Sequence, residues 1–146
     1  MLQLKPQEQQ RIELAIREAE QVTSAELKVI LTRYCWGRLE EKAVRLFHQH
    51  GLDRTQHRNA ILVLVVMANR EILVHGDQAA NDAVCADFWK EVCNVMLEHC
   101  CDGKVADGVI AGIRLIAETM AGPFPPGLNN PNEISDEVTI DDTPTA

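Results

Sequence analysis

Aromatic side chains are nearly missing from this sequence. They make up 4% of its 146 residues, against 46% hydrophobic residues in all, so any core must be aliphatic. Long apolar runs are missing too. The longest, AILVLVVMA at 60–68, has nine residues, and a helix that crosses a bilayer takes about 20. The opening MLQLKPQEQQ holds no apolar h-region, which predicts no signal peptide, no membrane insertion and a cytoplasmic protein. Basic residues are outnumbered, 14 Lys and Arg against 22 Asp and Glu. Without a basic surface there is no counterion release to drive nucleic-acid binding, so that class of partner is excluded. Paired cysteine spacing is absent as well. Cys35, Cys85, Cys93, Cys100 and Cys101 are odd in number and form no C-x-x-C, which predicts thiols in a reducing compartment.

Several catalytic motifs are also wanting. No cysteine has Arg six positions later, so the thiolate cradle of a cysteine phosphatase cannot form. There is no Asp-x-Asp nucleophile motif, no G-x-x-x-x-G-K and no G-x-G-x-x-G. No internal repeat is visible. What remains is a length that buries roughly 68% of the unfolded surface, enough for one domain without disulfide or metal staples.

The charge that is present is unevenly spread. Glu133, Asp136, Glu137, Asp141 and Asp142 follow Leu128 with no Lys or Arg among them, which leaves the first 128 residues at −3 of the total −8. The chain therefore divides into a near-neutral body, 1–128, and an acidic extended tail, 129–146.

Hydrophobic spacing sets the elements of the body. Pro6 suits a first helical turn, and Ile12, Ala15, Ile16, Ala19 and Val22 recur at helical spacing over 7–22. Leu27, Val29 and Leu31 alternate in a strand over 26–33. Leu39, Ala43, Leu46 and Phe47 form a second helical stripe, stopped at Gly51. Residues 60–67 are apolar without interruption, as in a central strand covered on both faces. Asn69-Arg70 reads as a tight turn into a strand over 71–75. Phe88, Val92, Val95 and Met96 mark one more helix, and Val105, Val109, Ile113, Ile116 and Met120 mark the last. The expectation is an α/β fold in the order α-β-α-β-β-α-α, a small mixed sheet of a parallel pair plus an antiparallel hairpin, sandwiched by helices.

That strand order has a consequence for the loops. If the first two strands are parallel and the third antiparallel, Glu26, Asn59 and Asp77 fall at one end of the sheet, with Thr23, Ser24, His57, Arg58 and His75 beside them. Two carboxylates, Glu26 and Asp77, among amide, hydroxyl and backbone oxygens suit a hard divalent cation such as Ca²⁺. The plainer reading is that Asn59 ties down a loop, Glu26 pairs with Arg58, and Asp77 caps the next turn. His57, His75 and Asp77 would suit a transition metal, against ordinary loop hydrogen bonding. His48 and His50, at the end of the second helix, suit its negative pole. Cys93, His99, Cys100 and Cys101 fit no zinc spacing and read as packing residues, with Cys100-Cys101 open to oxidation. Gly108 and Gly112 predict a close helix–sheet approach. In the tail, Ile134, Val138 and Ile140 are spaced for pairing with a sheet edge, its own or a partner's, against a merely solvated end.

Three stretches, AIREAEQVTSAELKV, AVRLFHQHGLDRTQHRNAILVLV and ILVHGDQAANDAVCADFWKEV, together resemble the TPM domain. That family takes its initials from a thylakoid lumen protein, a photosystem II repair protein and a modulator of acetylcholine receptors. Asn132-Glu133-Ile134-Ser135-Asp136-Glu137 is similar to the Asn-Glu-Leu-Pro-Asp-Glu signature of its short, soluble bacterial branch. The resemblance runs from about residue 8 to 140. It implies an α/β sandwich, and a role either as an acid phosphatase or in assembly or repair, with calcium binding in some members. The family's Thr-Ser-Gly-Glu matches Thr23-Ser24-Ala25-Glu26, and its Arg-Asn-Gly matches Arg58-Asn59-Ala60, each with Ala for Gly. Alanine does not readily take positive φ, which argues against a close backbone approach to a ligand there. Gly76-Asp77 and Trp89 stand where the family has them, while an aromatic position before the last helix is Cys100 or Cys101.

Two functions follow as expectations. The first is a non-enzymatic binding module for a protein partner, with a site at Thr23, Ser24, Glu26, Arg58 and Asn59 and a divalent cation between Glu26 and Asp77. The second is a metal-assisted acid phosphatase for phosphomonoesters using the same residues.

Overall fold

A computed structural model describes residues 4–100, 104–127 and 134–142. The first helix, α1 (Pro6–Glu20), opens with Pro6 in its first turn and with the Lys5 amide donating to the Glu8 carboxylate at 3.1 Å. Its stripe Ile12, Ala15, Ile16 and Ala19 is buried. Strand β1 (Glu26–Thr32) follows, then α2 (Leu39–Gln49), which stops where Gly51 takes φ 71°. A 3-10 turn, Leu52–Arg54, leads to β2 (Ala60–Val66), and a four-residue loop, 67–70, leads to β3 (Glu71–Gly76). That loop is two residues longer than the tight turn expected at Asn69-Arg70, because Met67 and Ala68 donate to the carbonyls of Thr32 and Arg33 and extend the parallel pairing. The remaining helices are α3 (Gln78–Asp82), α4 (Phe88–Cys100) and α5 (Val105–Met120), and a two-residue strand, β4 (Thr139–Ile140), comes last.

The sheet order is β3-β2-β1-β4. β1 and β2 are parallel with Glu26 opposite Ala60, β2 and β3 are antiparallel with Ile61 opposite Gly76, and β4 runs parallel to β1 beside Ile30 and Leu31. The mixed sheet is the expected one, extended by a fourth strand. The acidic segment 134–142 pairs with the chain's own sheet edge, with Ile134 buried and Ile140 half exposed.

The two faces of the sheet carry separate cores, which is why residues 60–66 show no alternation. Leu27, Val29, Leu31, Ile61, Val63 and Val65 point to a large core shared with α1, α4 and α5. Ile30, Ala60, Leu62 and Leu64 point the other way, to Ala43, Leu46 and Phe47 of α2, with Leu52 and Ile134. Gly108 and Gly112 serve helix–helix contact, and not the helix–sheet contact expected of them. A Cβ on either would run into Met96 of α4. Cys35, Cys85, Cys93 and Cys100 are thiols, and Cys100 is buried, while Cys101 lies outside the described residues. His48 finds Asp53 at 2.8 Å, and His50 finds Asp141 at 3.5 Å.

Candidate functional site

One rim of the sheet gathers the ends of three strands. Glu26 opens β1 opposite Ala60, and the Asp77 amide donates to the Ala60 carbonyl at 2.8 Å. The chain reversal after β2 thus returns Asp77 to the end at which β1 begins. Thr23, Ser24, Arg58 and Asn59 complete this rim. Their polar atoms go largely to tying loops together. Thr23 Oγ1 donates to the Phe124 carbonyl at 2.7 Å and accepts from the Ala25 amide at 3.2 Å, while the Ser24 amide donates to the same Phe124 carbonyl at 2.9 Å. Buried Asn59 donates from Nδ2 to the Ser24 carbonyl at 3.4 Å. Neither Ala25 nor Ala60 is among the residues at positive φ, so the two alanines are accommodated without strain.

Asp77 is heavily engaged. Its carboxylate accepts from Arg58 Nε at 2.6 Å and from Arg58 Nη2 at 2.9 Å, a bidentate pair. Oδ1 also accepts from the Gln78 amide at 2.8 Å and so caps α3. Arg58 is presented for this by a left-handed backbone, φ 51°, and its carbonyl accepts from the Ala79 amide at 2.9 Å. The Asp77 carboxylate pushes the Arg58 guanidinium still higher than usual, chiefly through those hydrogen bonds. Next to it, Asn81 donates to the Gly76 carbonyl and accepts from Trp89 Nε1, both at 2.8 Å. A Cβ at Gly76 would sit 2.8 Å from Asn81 Oδ1 and from Trp89 Cζ2, so this position needs glycine.

Glu26 faces different company. It is 3% exposed, and its charge is felt by Glu20 at the end of α1, which also hydrogen-bonds Asp136 of the acidic segment. Burial, then the hydrogen bond and charge of Asp136, then the charge of Glu26, raise the Glu20 carboxyl to about 8. One of its oxygens, Oε1, is buried with no hydrogen-bond partner among the described residues. Close by, Lys28 reaches across the sheet edge to donate to the Glu137 carbonyl at 2.9 Å, and burial lowers its ammonium pKa. Glu20 and Asp136 were not among the residues the sequence pointed to. The signal for Glu20 was its place at the close of the α1 stripe, six residues before Glu26. The signal for Asp136 was its place in the Asn132–Glu137 signature, whose first two residues lie outside those described.

The histidines do not converge. His57 is exposed, and His75 packs edge-on against Phe47 at 4.9 Å, where burial lowers its pKa. Among the described residues, no group of three or more His, Cys, Asp and Glu side chains is arranged to hold a metal ion. A groove of about 370 Å³ lies between α1 and α5, lined by Ala15, Ala19, Val22, Ala117 and Ala121 with Arg114 at its margin. None of the rim residues lines it. No helix of the described residues is long and apolar enough to cross a membrane.

Compared with known proteins, the sequence matches the TPM domain over residues 3–119. The chain belongs to the TPM domain family. Its fold is similar to that of the BA42 protein from the psychrophilic bacterium Bizionia argentinensis, at 28% identity and a TM-score of 0.88, covering 94% of this chain and 95% of that one. It is also similar to the N-terminal domain of a protein from P. gingivalis, at 17% identity and a TM-score of 0.70, covering 83% of this chain and 78% of that one, a likeness of fold alone. No curated protein matches it. Within this TPM domain, the residues carried over from the family pattern divide into two groups. Arg58, Asn59 and Asp77 brace loops, and Glu26 lies where its charge acts on Glu20, the hydrogen-bond partner of Asp136.

Proposed function

We propose that this TPM domain is a binding module for assembly or repair of a partner protein, and that the hydrogen-bonded carboxyl pair Glu20 and Asp136 takes up a divalent cation such as Ca²⁺. The observation that carries this reading is the Glu20 carboxyl, hydrogen-bonded to that of Asp136, raised to about 8, and with one oxygen buried and without a hydrogen-bond partner among the described residues. Such a carboxyl, buried and beside like charge, keeps its proton at neutral pH. A hard cation supplies the opposite charge, takes oxygen ligands, and displaces the proton. Asp77 serves less well as a ligand than its position implies, since Arg58 and the Gln78 amide already take its oxygens. The same engagement weighs against metal-assisted phosphomonoester hydrolysis through Glu26 and Asp77, which needs an open carboxylate and a water or side-chain nucleophile beside it.

Calorimetry with Ca²⁺ at pH 7 tests the proposal on four chains: wild type, Glu20→Gln, Asp136→Asn and Asp77→Ala. Wild type and Asp77→Ala are expected to give heat that varies with the ionisation enthalpy of the buffer, the mark of proton release. Glu20→Gln and Asp136→Asn are expected to lose it. Heat that survives both carboxamide substitutions, or no heat from wild type, removes the cation site. Phosphomonoester hydrolysis by wild type that vanishes in Asp77→Ala would restore the hydrolytic reading in its place.

A further inference from the structure

The acidic segment lies in the molecule as a peptide lies in a receptor. Without it β1 would be an exposed seven-residue edge, since its other side is already paired with β2. Yet the segment covers that edge economically. It forms ladder partners with only Ile30 and Leu31. Further back it leaves the strand, where the Val138 amide donates to Glu13 Oε2 at 2.8 Å and Lys28 takes the Glu137 carbonyl. Its grip comes from the two acids that follow β4. The Asp141 amide donates to the Leu31 carbonyl at 2.9 Å, and its carboxylate meets His50. Asp142 accepts from the Arg33 amide at 2.8 Å and from Arg33 Nε at 3.0 Å. It also feels the charge of Lys42, a buried lysine that donates to Thr32 Oγ1 at 3.0 Å and to the Tyr34 carbonyl at 3.3 Å. Arg33, Lys42 and His50 thus form a basic patch at the carboxyl end of β1, matched to a pair of acids.

The surface continues beyond that patch. β1 runs on into Tyr34, Cys35 and Trp36, where Trp36 is 70% exposed, Tyr34 is 48% exposed, and their rings stack 6.0 Å apart. In a chain whose aromatics total 4%, an exposed Tyr–Trp pair beside two arginines, Arg33 and Arg38, is the composition of a protein-binding hot spot.

We propose that the β1 edge, with Arg33, Lys42 and His50 at its end and Tyr34 and Trp36 beyond, is a docking site for an extended acidic segment of a partner protein, added to the sheet as a strand, and that segment 134–142 is its resident competitor. The partner segment carries two strand-forming residues followed by two acids, the pattern of Thr139-Ile140-Asp141-Asp142. Backbone pairing supplies the docking geometry, and the acids supply register and selectivity. This site stands on its own geometry and does not require the cation. Because the resident segment is tethered, it holds the site at high effective concentration and weakens any partner by the fraction of time it is docked.

A fluorescent peptide with the sequence of residues 134–142, titrated into the full-length chain, tests this. In the Asp141→Asn/Asp142→Asn chain, whose own segment is released, it is expected to bind about tenfold more tightly than in wild type, as competition by a resident segment predicts. Adding Arg33→Gln to that chain is expected to reverse the gain, and a peptide with Asn for both terminal acids should not bind. A second readout needs no arginine substitution. The Arg33 amide, which donates to Asp142, should exchange faster in the doubly substituted chain and regain protection when peptide is added. Equal affinity for wild type and the released chain, affinity indifferent to Arg33→Gln, or an Arg33 amide indifferent to peptide would overturn the proposal.

Discussion

Asp77 shows how one side chain can be recruited by its neighbours until little is left for a ligand. It closes the Ala60 ladder through its amide, caps α3 through Oδ1, and holds the guanidinium of Arg58, whose φ of 51° places it there. A non-glycine residue persists in that backbone region only when its surroundings fix it, and the Asp77 fork, with the Ala79 amide on the Arg58 carbonyl, does so here. Removing the carboxylate in Asp77→Ala should cost about 1–2 kcal/mol from the lost cap alone. Asp77→Asn should cost less, since asparagine is as good a cap and loses only the charge assistance. Urea denaturation of the three chains checks this order. Equal stability of Asp77→Ala and wild type would show that the cap and the Arg58 fork are idle.

Elements meet here through missing side chains as much as through present ones. α5 approaches α4 at Gly108 and Gly112, where a Cβ would strike the Met96 carbonyl oxygen and the Met96 side chain respectively. The backbone oxygen cannot turn aside, whereas a methionine can re-rotate. Gly108→Ala is therefore expected to destabilise the fold by about 1–3 kcal/mol, and Gly112→Ala by visibly less, both read from the midpoint of urea unfolding. The reverse order would mean that α4 shifts bodily to relieve the clash. The glycine spacing was legible in the sequence, but its partner was not, because spacing names a face and not what covers it. The same holds elsewhere. The stripes of α1, α2, α4 and α5, the uninterrupted apolar β2 and the antiparallel return of β3 could all be read from residue order, since each buries a periodic face. α3 was not visible, because five residues make little more than one turn and its reason for existing is the Asp77 cap. β4 showed only as a suggestive spacing, because two residues of strand are fixed by what they dock against. The candidate site divides in the same way. The rim followed from strand order, so Glu26, Asn59 and Asp77 could be grouped. The Glu20–Asp136 contact joins the end of α1 to a segment more than a hundred residues on, and no local pattern records it.

At the scale of the whole molecule, segment 134–142 spans the β1 edge from one rim of the sheet to the other, with a carboxylate contact of opposite character at each end. At the rim with Glu20, the fold raises a carboxyl from the ordinary 4.5 to about 8, so the native state holds a proton that the unfolded chain gives up. Its stabilisation is complete below about pH 4.5 and is lost as pH rises through about 8. At the other rim the Arg33 amide, with the guanidinium behind it, holds the Asp142 carboxyl below its usual range, so that contact stabilises above the ordinary carboxylate range and fails in acid. Between about pH 7 and 8, above the ordinary 6.5 of His75 whose lowered pKa acts in the opposite sense, only the first contact changes, so the melting temperature is expected to fall across that interval on account of Glu20. Glu20→Gln, which cannot ionise, should flatten this part of the profile. Added Ca²⁺ should flatten it in wild type as well, by stabilising the ionised form that high pH exposes. Melting curves at a series of pH values, with and without Ca²⁺, measure both effects. A slope that persists unchanged in Glu20→Gln would assign the proton to another group. A slope removed by the substitution but untouched by Ca²⁺ would leave the carboxyl pair as a proton-linked clasp on the segment, with no part in cation binding.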